Sequence, residues 1–373
     1  MELIKWKLDK ITDVWNHYFW EYKSLQKKIN FNSEVKTNYY GEILSYFNDT
    51  FDLIKINESK KFYDNIFHYT GLLQIIYVQQ DLMDELLHIF KLQKSPLQDK
   101  NPNRTIRNEL IGHPIRRTKN GNELESSSLF SNNTTNTTLE YLKYSKSNNF
   151  KMKITTYDTQ TIIDQHKAFL NKYFDQILNK ICVILNAHKK NLKKFEQSIS
   201  NNAKFDNVIH QTEISFEYIL RFNYLYSKDI LKECYKRQNE HTRYKFAIDL
   251  FLTELSNHLK ESQNNIDDFV QEKLNGPKKY NKIEAPIYIN DFIVGKGKIP
   301  KRKIKSDFTY ELGKLHGKHP AITIDYFKRN FSTNKKIMVE LNNMELNYNN
   351  ILEYYCSFEY LRKLILKKKY TLL

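Results

Sequence analysis

The chain has little cysteine, glycine or proline, and these scarcities restrict the fold. Nine glycines and seven prolines are too few for a glycine-rich nucleotide-binding fold or a long all-β chain with many tight turns. We therefore predict a mainly α-helical protein. Cys182, Cys234 and Cys356 are far apart in the sequence, with neither the spacing of metal ligands nor the pattern of a disulfide framework.

Long apolar segments are also missing. No uncharged apolar run approaches the roughly 18 residues of a membrane span. The N-terminal segment carries Glu2, Lys5, Lys7 and Asp9 among its apolar residues, which is unlike a signal peptide. We expect a soluble, cytoplasmic protein with no membrane partner. Its residues are 40% hydrophobic and 14% aromatic, enough for sizeable cores and too many for a disordered chain.

The charge of the chain is strongly positive. Lysine and arginine number 59 against 43 aspartate and glutamate, a formal net charge of +16 at pH 7. Such an excess is typical of proteins that bind nucleic acid. A compositional bias accounts for it equally well, because asparagine, isoleucine and tyrosine are abundant together with lysine while arginine is scarce. The charge alone leaves both interpretations open.

Apolar periodicity predicts helices over most of the chain. The clearest helix of the N-terminal half covers residues 62–93, where apolar residues from Leu72 to Phe90 form one stripe, and Pro96 follows its end. The predicted helices cover residues 1–30, 33–56, 62–93, 101–111, 158–197, 213–236, 242–261, 322–331 and 335–366.

A small β region interrupts these helices. Strand patterns occur at residues 127–131, 139–145 and 150–156. We predict a small β-hairpin or meander, inserted at about residues 116–156 of an N-terminal helical domain that covers residues 1–200. A short polar segment at residues 198–203 marks the boundary between this domain and a C-terminal helical domain of unknown role, residues 201–373.

One short segment combines residue types that can carry chemistry. Residues 107–114 are Arg-Asn-Glu-Leu-Ile-Gly-His-Pro, and Pro114 ends the helix beside His113. Arg107 stays charged and can bind a phosphate through two hydrogen bonds, while His113 can serve as an acid or a base near neutral pH. Asn108 can position either side chain or the phosphate. On a straight α-helix, Arg107 and His113 would lie about 120° apart, so their convergence depends on how the chain leaves the helix.

This segment resembles the signature of the HEPN superfamily, helical bundles found in many ribonucleases, in which about four to six residues separate an arginine from a following histidine. The polar residue after Arg107 and the long helices on both sides of the segment fit that pattern. The resemblance covers about the first 200 residues. It implies a HEPN-like bundle with metal-independent endoribonuclease activity, no cofactor, and products with 2′,3′-cyclic phosphate and 5′-OH ends.

The resemblance also has implications for partners. Active sites of the superfamily form where two motifs face each other, and this chain has one clear copy. We therefore expect a homodimer in which Arg107, Asn108 and His113 of both chains line one cleft that binds RNA. The implied role is that of a toxin or an anti-phage defence protein, with an antitoxin or another defence component as a partner.

Two other interpretations stay open. The chain can be a catalytically inactive helical scaffold, with Arg107 solvated and His113 capping helix carbonyls. It can also be a regulator that binds nucleic acid without cleaving it. Arg237 and His241 form a second arginine–histidine pair, but only three residues separate them, and we predict that they lie on a solvated face in mid-helix.

Basic residues outside the motif are candidate RNA contacts. They are Arg116, Arg117, Lys119, Lys301, Arg302 and Lys303. The first three follow the motif directly. They either contact phosphate at the mouth of the cleft or belong to an ordinary charged surface. The other three lie in a basic loop, which either binds RNA or is simply solvated.

We predict no metal site, since HExxH and CxxC patterns are missing and His316 and His319 lack a third ligand nearby.

Overall fold

The computed structural model describes residues 1–20, 22–32, 39–216, 220, 227–275, 308–315 and 320–366. These residues are mainly helical, which confirms the prediction of a mainly α-helical protein. They divide into two compact units. Unit 1 contains Met1–His188 and the stretch that begins at Phe269, and unit 2 contains Lys189–Asp268 and the described residues from Phe308 onward. Within the described residues, every helix is too short or too polar to span a bilayer.

The helices are numbered in chain order. They are α1 Glu2–Val14, α2 Lys23–Gln26, α3 Tyr39–Phe51, α4 Phe62–Ile89, α5 Leu97–Lys100, α6 Asn103–Arg107, α7 Thr159–Ser200, α8 Phe205–Ser215, α9 Lys228–Arg237, α10 Thr242–Asn275, α11 Phe308–Lys314, α12 Pro320–Asn330, α13 Lys335–Leu346 and α14 Ile351–Ile365. Wider π-helical turns follow α1 at Trp15–Phe19 and α6 at Asn108–Gly112.

Between the π turn after α6 and the start of α7, the chain forms a four-stranded antiparallel sheet with its strands in sequence order. The strands are β1 Ile115–Arg117, β2 Leu124–Phe130, β3 Thr138–Ser145 and β4 Lys153–Asp158. The sheet is a meander, as predicted, but β1 was not predicted. Its three residues are all exposed, so no alternation of apolar and polar residues marks it in the sequence.

The motif segment is anchored in the apolar core of unit 1. Ile106 and Leu110, four residues apart, are buried on one side of the segment. They belong to the same cluster as Tyr69 of α4 and as Leu139 and Tyr141, which are alternate residues of β3. Full burial of one such side chain contributes about 1.5–3 kcal/mol, so the core holds the segment against both α4 and the sheet.

A buried ion pair fixes the chain that leads into α6. Lys100 Nζ lies 2.5 Å from Asp84 Oδ2, and both side chains are almost fully buried. The backbone N–H of Ser95 donates to the other carboxylate oxygen of Asp84 at 3.1 Å. Because removing one partner of a buried pair costs about 3–5 kcal/mol, this pair holds the connection between α4 and α6 in one conformation.

A buried histidine joins three helices of unit 1. His166 of α7 lies 2.8 Å from the Gln79 side-chain oxygen, and the Gln79 amide nitrogen donates to the Thr50 hydroxyl at 2.7 Å. The Gln79 oxygen therefore accepts a hydrogen bond from His166 Nε2. Burial lowers the pKa of His166 to about 3, so its ring is neutral in the folded protein.

Acid is expected to destabilise unit 1 through His166. In the unfolded chain this histidine binds a proton near pH 6.5, but in the folded chain it does so only near pH 3. Its stabilising contribution is therefore complete above pH 6.5 and is lost by up to about 1.4 kcal/mol per pH unit as the pH falls toward 3. His166→Gln removes the titration, so calorimetry from pH 7 to 4 should show wild type losing stability faster than the variant. If the stability of wild type and of the variant falls equally with pH, His166 is not the group responsible.

Several predicted helices have different bounds in the structure. The helix predicted over residues 1–30 is broken, because α1 ends at Val14 and the π turn follows. The helix predicted over residues 335–366 is two helices, α13 and α14. The second begins where the Asn350 side chain accepts a hydrogen bond from the Glu353 N–H, which is an N-cap.

Two further predicted bounds change, and two distant cysteines of unit 2 meet. α10 continues to Asn275, well beyond the predicted end at residue 261. The helix predicted over 213–236 is interrupted, because α8 ends at Ser215 and Phe216 is not helical. Cys234 and Cys356 are both buried with sulfur atoms 3.3 Å apart, a proximity that their sequence spacing does not indicate.

Candidate functional site

The motif segment leaves α6 through a π turn instead of continuing as an α-helix. The His113 N–H donates to the Asn108 carbonyl oxygen at 2.8 Å, the bond between residues five apart that defines such a turn. An α-helix would rotate residue 113 about 140° away from residue 108. The π turn instead brings the backbone of His113 over Asn108.

Neutral groups hold the Arg107 guanidinium in place. Its Nε donates to the Gln74 side-chain oxygen at 3.1 Å, and its Nη1 donates to the Asn108 side-chain oxygen at 3.2 Å. The guanidinium carbon lies 4.1 Å from the centre of the Tyr77 ring. No carboxylate among the described residues forms an ion pair with Arg107. The cation is thus oriented by an amide on each side and an aromatic ring, and its charge is not neutralised.

Arg104 lies on the same side of α6 and provides a contrast. Its guanidinium carbon is 4.3 Å from the centre of the same Tyr77 ring. Unlike Arg107, it is paired with a carboxylate, since Nη2 lies 2.8 Å from Asp81 Oδ1 of α4. Arg104 therefore attaches α6 to α4 through an ion pair, whereas Arg107 contacts only neutral groups.

Gly112 provides the space that the Arg107 side chain occupies. A methyl group on Gly112 would lie 2.5 Å from Arg107 Nη1 and 3.6 Å from the Asn108 side-chain oxygen. The guanidinium therefore packs directly against the residue that precedes His113. The structure thus brings Arg107 and Asn108 into contact, whereas the exposed side chain of His113 forms no hydrogen bond with either of them.

Gly112→Ala is expected to displace the Arg107 guanidinium without unfolding unit 1. The new methyl group meets the far end of a flexible side chain, which can move, and alanine is otherwise favoured over glycine in helical turns. A displacement of about 1 Å at a reacting centre can cost 10²-fold in rate. We expect an unchanged or higher melting temperature, together with a 10- to 100-fold lower rate in an assay of the ribonuclease activity that the HEPN resemblance implies. Full activity in a folded variant would contradict the role given to Gly112.

Glu109, in the middle of the motif, faces the sheet. It accepts a hydrogen bond from the Tyr141 hydroxyl at 2.7 Å and forms an ion pair with Lys143. Burial, together with the neighbouring Glu109 carboxylate, raises the pKa of Tyr141. These contacts give Glu109 a structural role, which is to join the π turn to β3.

Sequence reasoning missed Gln74 and Tyr77, the two α4 residues that hold Arg107. They lie three residues apart and so share one face of the helix. Their separation from Arg107 in the sequence conceals the contact. The sequence indicates them only indirectly: both carry a polar group on the same side of the largely apolar helix α4.

The candidate RNA contacts next to the motif lie on β1 and in the turn that follows it. Arg116, Arg117 and Lys119 are all exposed. Arg116 Nε lies 2.8 Å from Glu125 Oε2 on β2, so its charge is already paired. Within the described residues, Arg117 and Lys119 have no ion-pair partner. The other candidates, Lys301, Arg302 and Lys303, lie outside the described residues, as do His316 and His319.

The comparisons with known proteins identify no relative. No protein family, no curated protein and no solved structure matches the chain. Within the part of the chain that the structure describes, no three histidine, cysteine, aspartate or glutamate side chains are grouped to hold a metal ion. The functional argument therefore depends on the residues around Arg107 and on their geometry.

The second arginine–histidine pair has a different environment. Arg237 ends α9, and its guanidinium lies 2.8 Å from a Glu240 carboxylate oxygen and 2.7 Å from one of Glu353. His241 lies in the connection before α10, 3.9 Å from Glu340. The prediction of a solvated face in mid-helix is therefore wrong. Because carboxylates neutralise Arg237, this pair is part of an ion-pair network and does not repeat the Arg107 arrangement.

Proposed function

We propose that the chain is a metal-independent endoribonuclease of the HEPN type, with Arg107, Asn108 and His113 as its catalytic residues. The observation that carries the proposal is the unneutralised Arg107 guanidinium, held by Gln74 and the ring of Tyr77 on one side and by Asn108 on the other. A guanidinium that is oriented but has no carboxylate partner is suited to bind a phosphate.

The residue types account for the chemistry of RNA cleavage. The 2′-oxygen attacks the adjacent phosphorus and loses its proton, and the bond from phosphorus to the 5′-oxygen breaks as that oxygen gains a proton. His113 transfers one of these protons. Arg107 stabilises the negative charge that develops on the non-bridging phosphate oxygens, and Asn108 keeps Arg107 in position. The products are a 2′,3′-cyclic phosphate and a 5′-OH.

We also propose that a second copy of the chain completes the site. Cleavage needs one proton removed and one donated, and each chain contributes one motif histidine. In a two-fold dimer, the two histidines can face a single phosphodiester, one as the base and the other as the acid. The resemblance to HEPN ribonucleases supports a cytoplasmic toxin or anti-phage defence role, with a neutralising or defence partner.

Expression in bacteria tests the proposed function. We expect wild type to arrest growth and degrade cellular RNA, and we expect Arg107→Ala and His113→Ala to do neither. Arg329→Ala, which removes an exposed arginine of α12, serves as the matched control and should behave as wild type. Equal effects of all four proteins would contradict the nuclease assignment. RNA binding without cleavage by purified wild type would instead support a regulator.

A further inference from the structure

Two highly exposed aromatic rings lie on the face of α4 that also contacts Arg107. Tyr63, Phe67, Gln74 and Tyr77 are separated by four, seven and three residues, so they follow one face of the helix. Tyr63 is 82% exposed and Phe67 is 84% exposed. Gln74 and Tyr77, further along the same face, contact the Arg107 guanidinium. The face thus carries uncovered rings at one end and an unpaired cation in its middle.

The two parts of this face are close enough to contact one extended ligand. The rise of the helix places Phe67 about 6 Å from Tyr63 and about 10 Å from Gln74 along the axis. Gly71 lies between Phe67 and Gln74, and a methyl group there would meet no atom within 4 Å. The surface between the rings and the guanidinium is therefore open at this position.

Positive charge lies beyond the rings as well. Lys60 and Lys61, both exposed, precede α4 and have no ion-pair partner among the described residues. Of the acidic residues at this end, Glu58 is exposed, while the Asp64 carboxylate accepts a hydrogen bond from the Ser59 hydroxyl at 2.6 Å. The rings therefore have Lys60 and Lys61 on one side, next to the carboxylates of Glu58 and Asp64, and the unpaired Arg107 on the other.

We propose that Tyr63 and Phe67 stack on bases of a single-stranded RNA whose phosphate is bound at Arg107. A single strand presents base faces and phosphates in one ligand, and stacking on aromatic side chains is the common way to hold such bases. An apolar protein surface would cover the rings but leave Arg107 without a counter-charge. A duplex hides the faces of its bases. The identity of the ligand as RNA rests on the proposed function, while the stacking itself does not require cleavage.

Binding of a non-cleavable strand tests this inference. The probe is a fluorescent single-stranded 2′-O-methyl RNA of mixed sequence, which lacks the free 2′-OH that cleavage needs. We expect Tyr63→Ala and Phe67→Ala each to raise the Kd of the full chain about ten-fold, and Phe67→Tyr to leave it unchanged. Tyr310→Ala, which removes a 72% exposed ring from unit 2, should also leave it unchanged. The Kd for an abasic strand of the same length should be the same for wild type and for all of these variants.

Three results would overturn the inference. The first is a Tyr63→Ala/Phe67→Ala double variant that binds the probe as wild type does. The second is an equal loss of affinity for the abasic strand, which would assign the effect to charge and not to stacking. The third is light scattering that shows a wild-type dimer dissociating in the double variant, since the rings would then be an interface between copies.

This inference and the proposed function can fail separately. If the Tyr63 and Phe67 variants weaken RNA binding but no form of the protein cleaves RNA, the result supports the stacking surface and contradicts the nuclease assignment. If Arg107→Ala abolishes cleavage while the Tyr63 and Phe67 variants bind RNA as wild type does, the result supports the nuclease assignment and contradicts the stacking surface. Because both rings are highly exposed, the melting temperature of the variants should match that of wild type.

Discussion

Arg107→Ala is expected to slow RNA cleavage about 10²- to 10³-fold, the usual cost of removing one group that stabilises developing charge. Arg107→Lys keeps the charge but loses the planar fork that reaches Gln74 and Asn108 at once, so we expect an intermediate loss. Single-turnover cleavage of a labelled single-stranded RNA measures both effects.

Arg104→Ala is the matched control for this experiment. It removes the neighbouring arginine from the same Tyr77 ring and breaks the ion pair with Asp81. We expect it to lower the free energy of unfolding by about 1 kcal/mol while the folded protein cleaves at nearly the wild-type rate. If both alanine variants lose the same activity, Arg107 is only a second attachment between α6 and α4.

His113→Ala is expected to slow cleavage about 10²- to 10⁴-fold, the range for loss of a general acid or base. Because His113 is exposed, its replacement should leave the melting temperature unchanged. His113→Gln can still form hydrogen bonds but cannot transfer a proton at neutral pH, so it should be as inactive as the alanine variant.

An exposed histidine elsewhere in unit 1 controls for nonspecific effects. His17→Ala, in the π turn after α1, should cleave RNA at the wild-type rate. Substantial activity in His113→Gln would show that His113 only positions other groups. Equal losses in the His17 and His113 variants would remove the basis for assigning proton transfer to the motif.

The sequence pattern located the motif but not its geometry. The apolar stripe predicted α4 well because a long, strongly periodic segment leaves few alternatives. The π turn after Arg107 was not predictable, since the same apolar spacing of Ile106 and Leu110 fits an ordinary α-helix. The contact between Arg107 and Gln74 depends on how α6 packs on α4, which local pattern does not determine.

The start of α14 is indicated in the sequence. Asn350 precedes Glu353 by three residues, a spacing typical of a helix N-terminus, and α14 begins there. β1, by contrast, has no such signal, because three exposed residues have no periodicity. The arrangement around Arg237 also depends on packing, since Glu353 is distant in the sequence and only the fold brings its carboxylate to that arginine.

The most direct test of the central claim is the chemistry of the RNA ends. Purified full-length chain is incubated with single-stranded RNA in the presence of a metal chelator, and the product ends are identified by mass spectrometry. We expect 2′,3′-cyclic phosphate and 5′-OH ends from wild type, at least 10²-fold slower cleavage by Arg107→Ala and His113→Ala, and no cleavage of 2′-O-methyl RNA. Products with 3′-OH and 5′-phosphate ends, or cleavage at the wild-type rate by both variants, would contradict it.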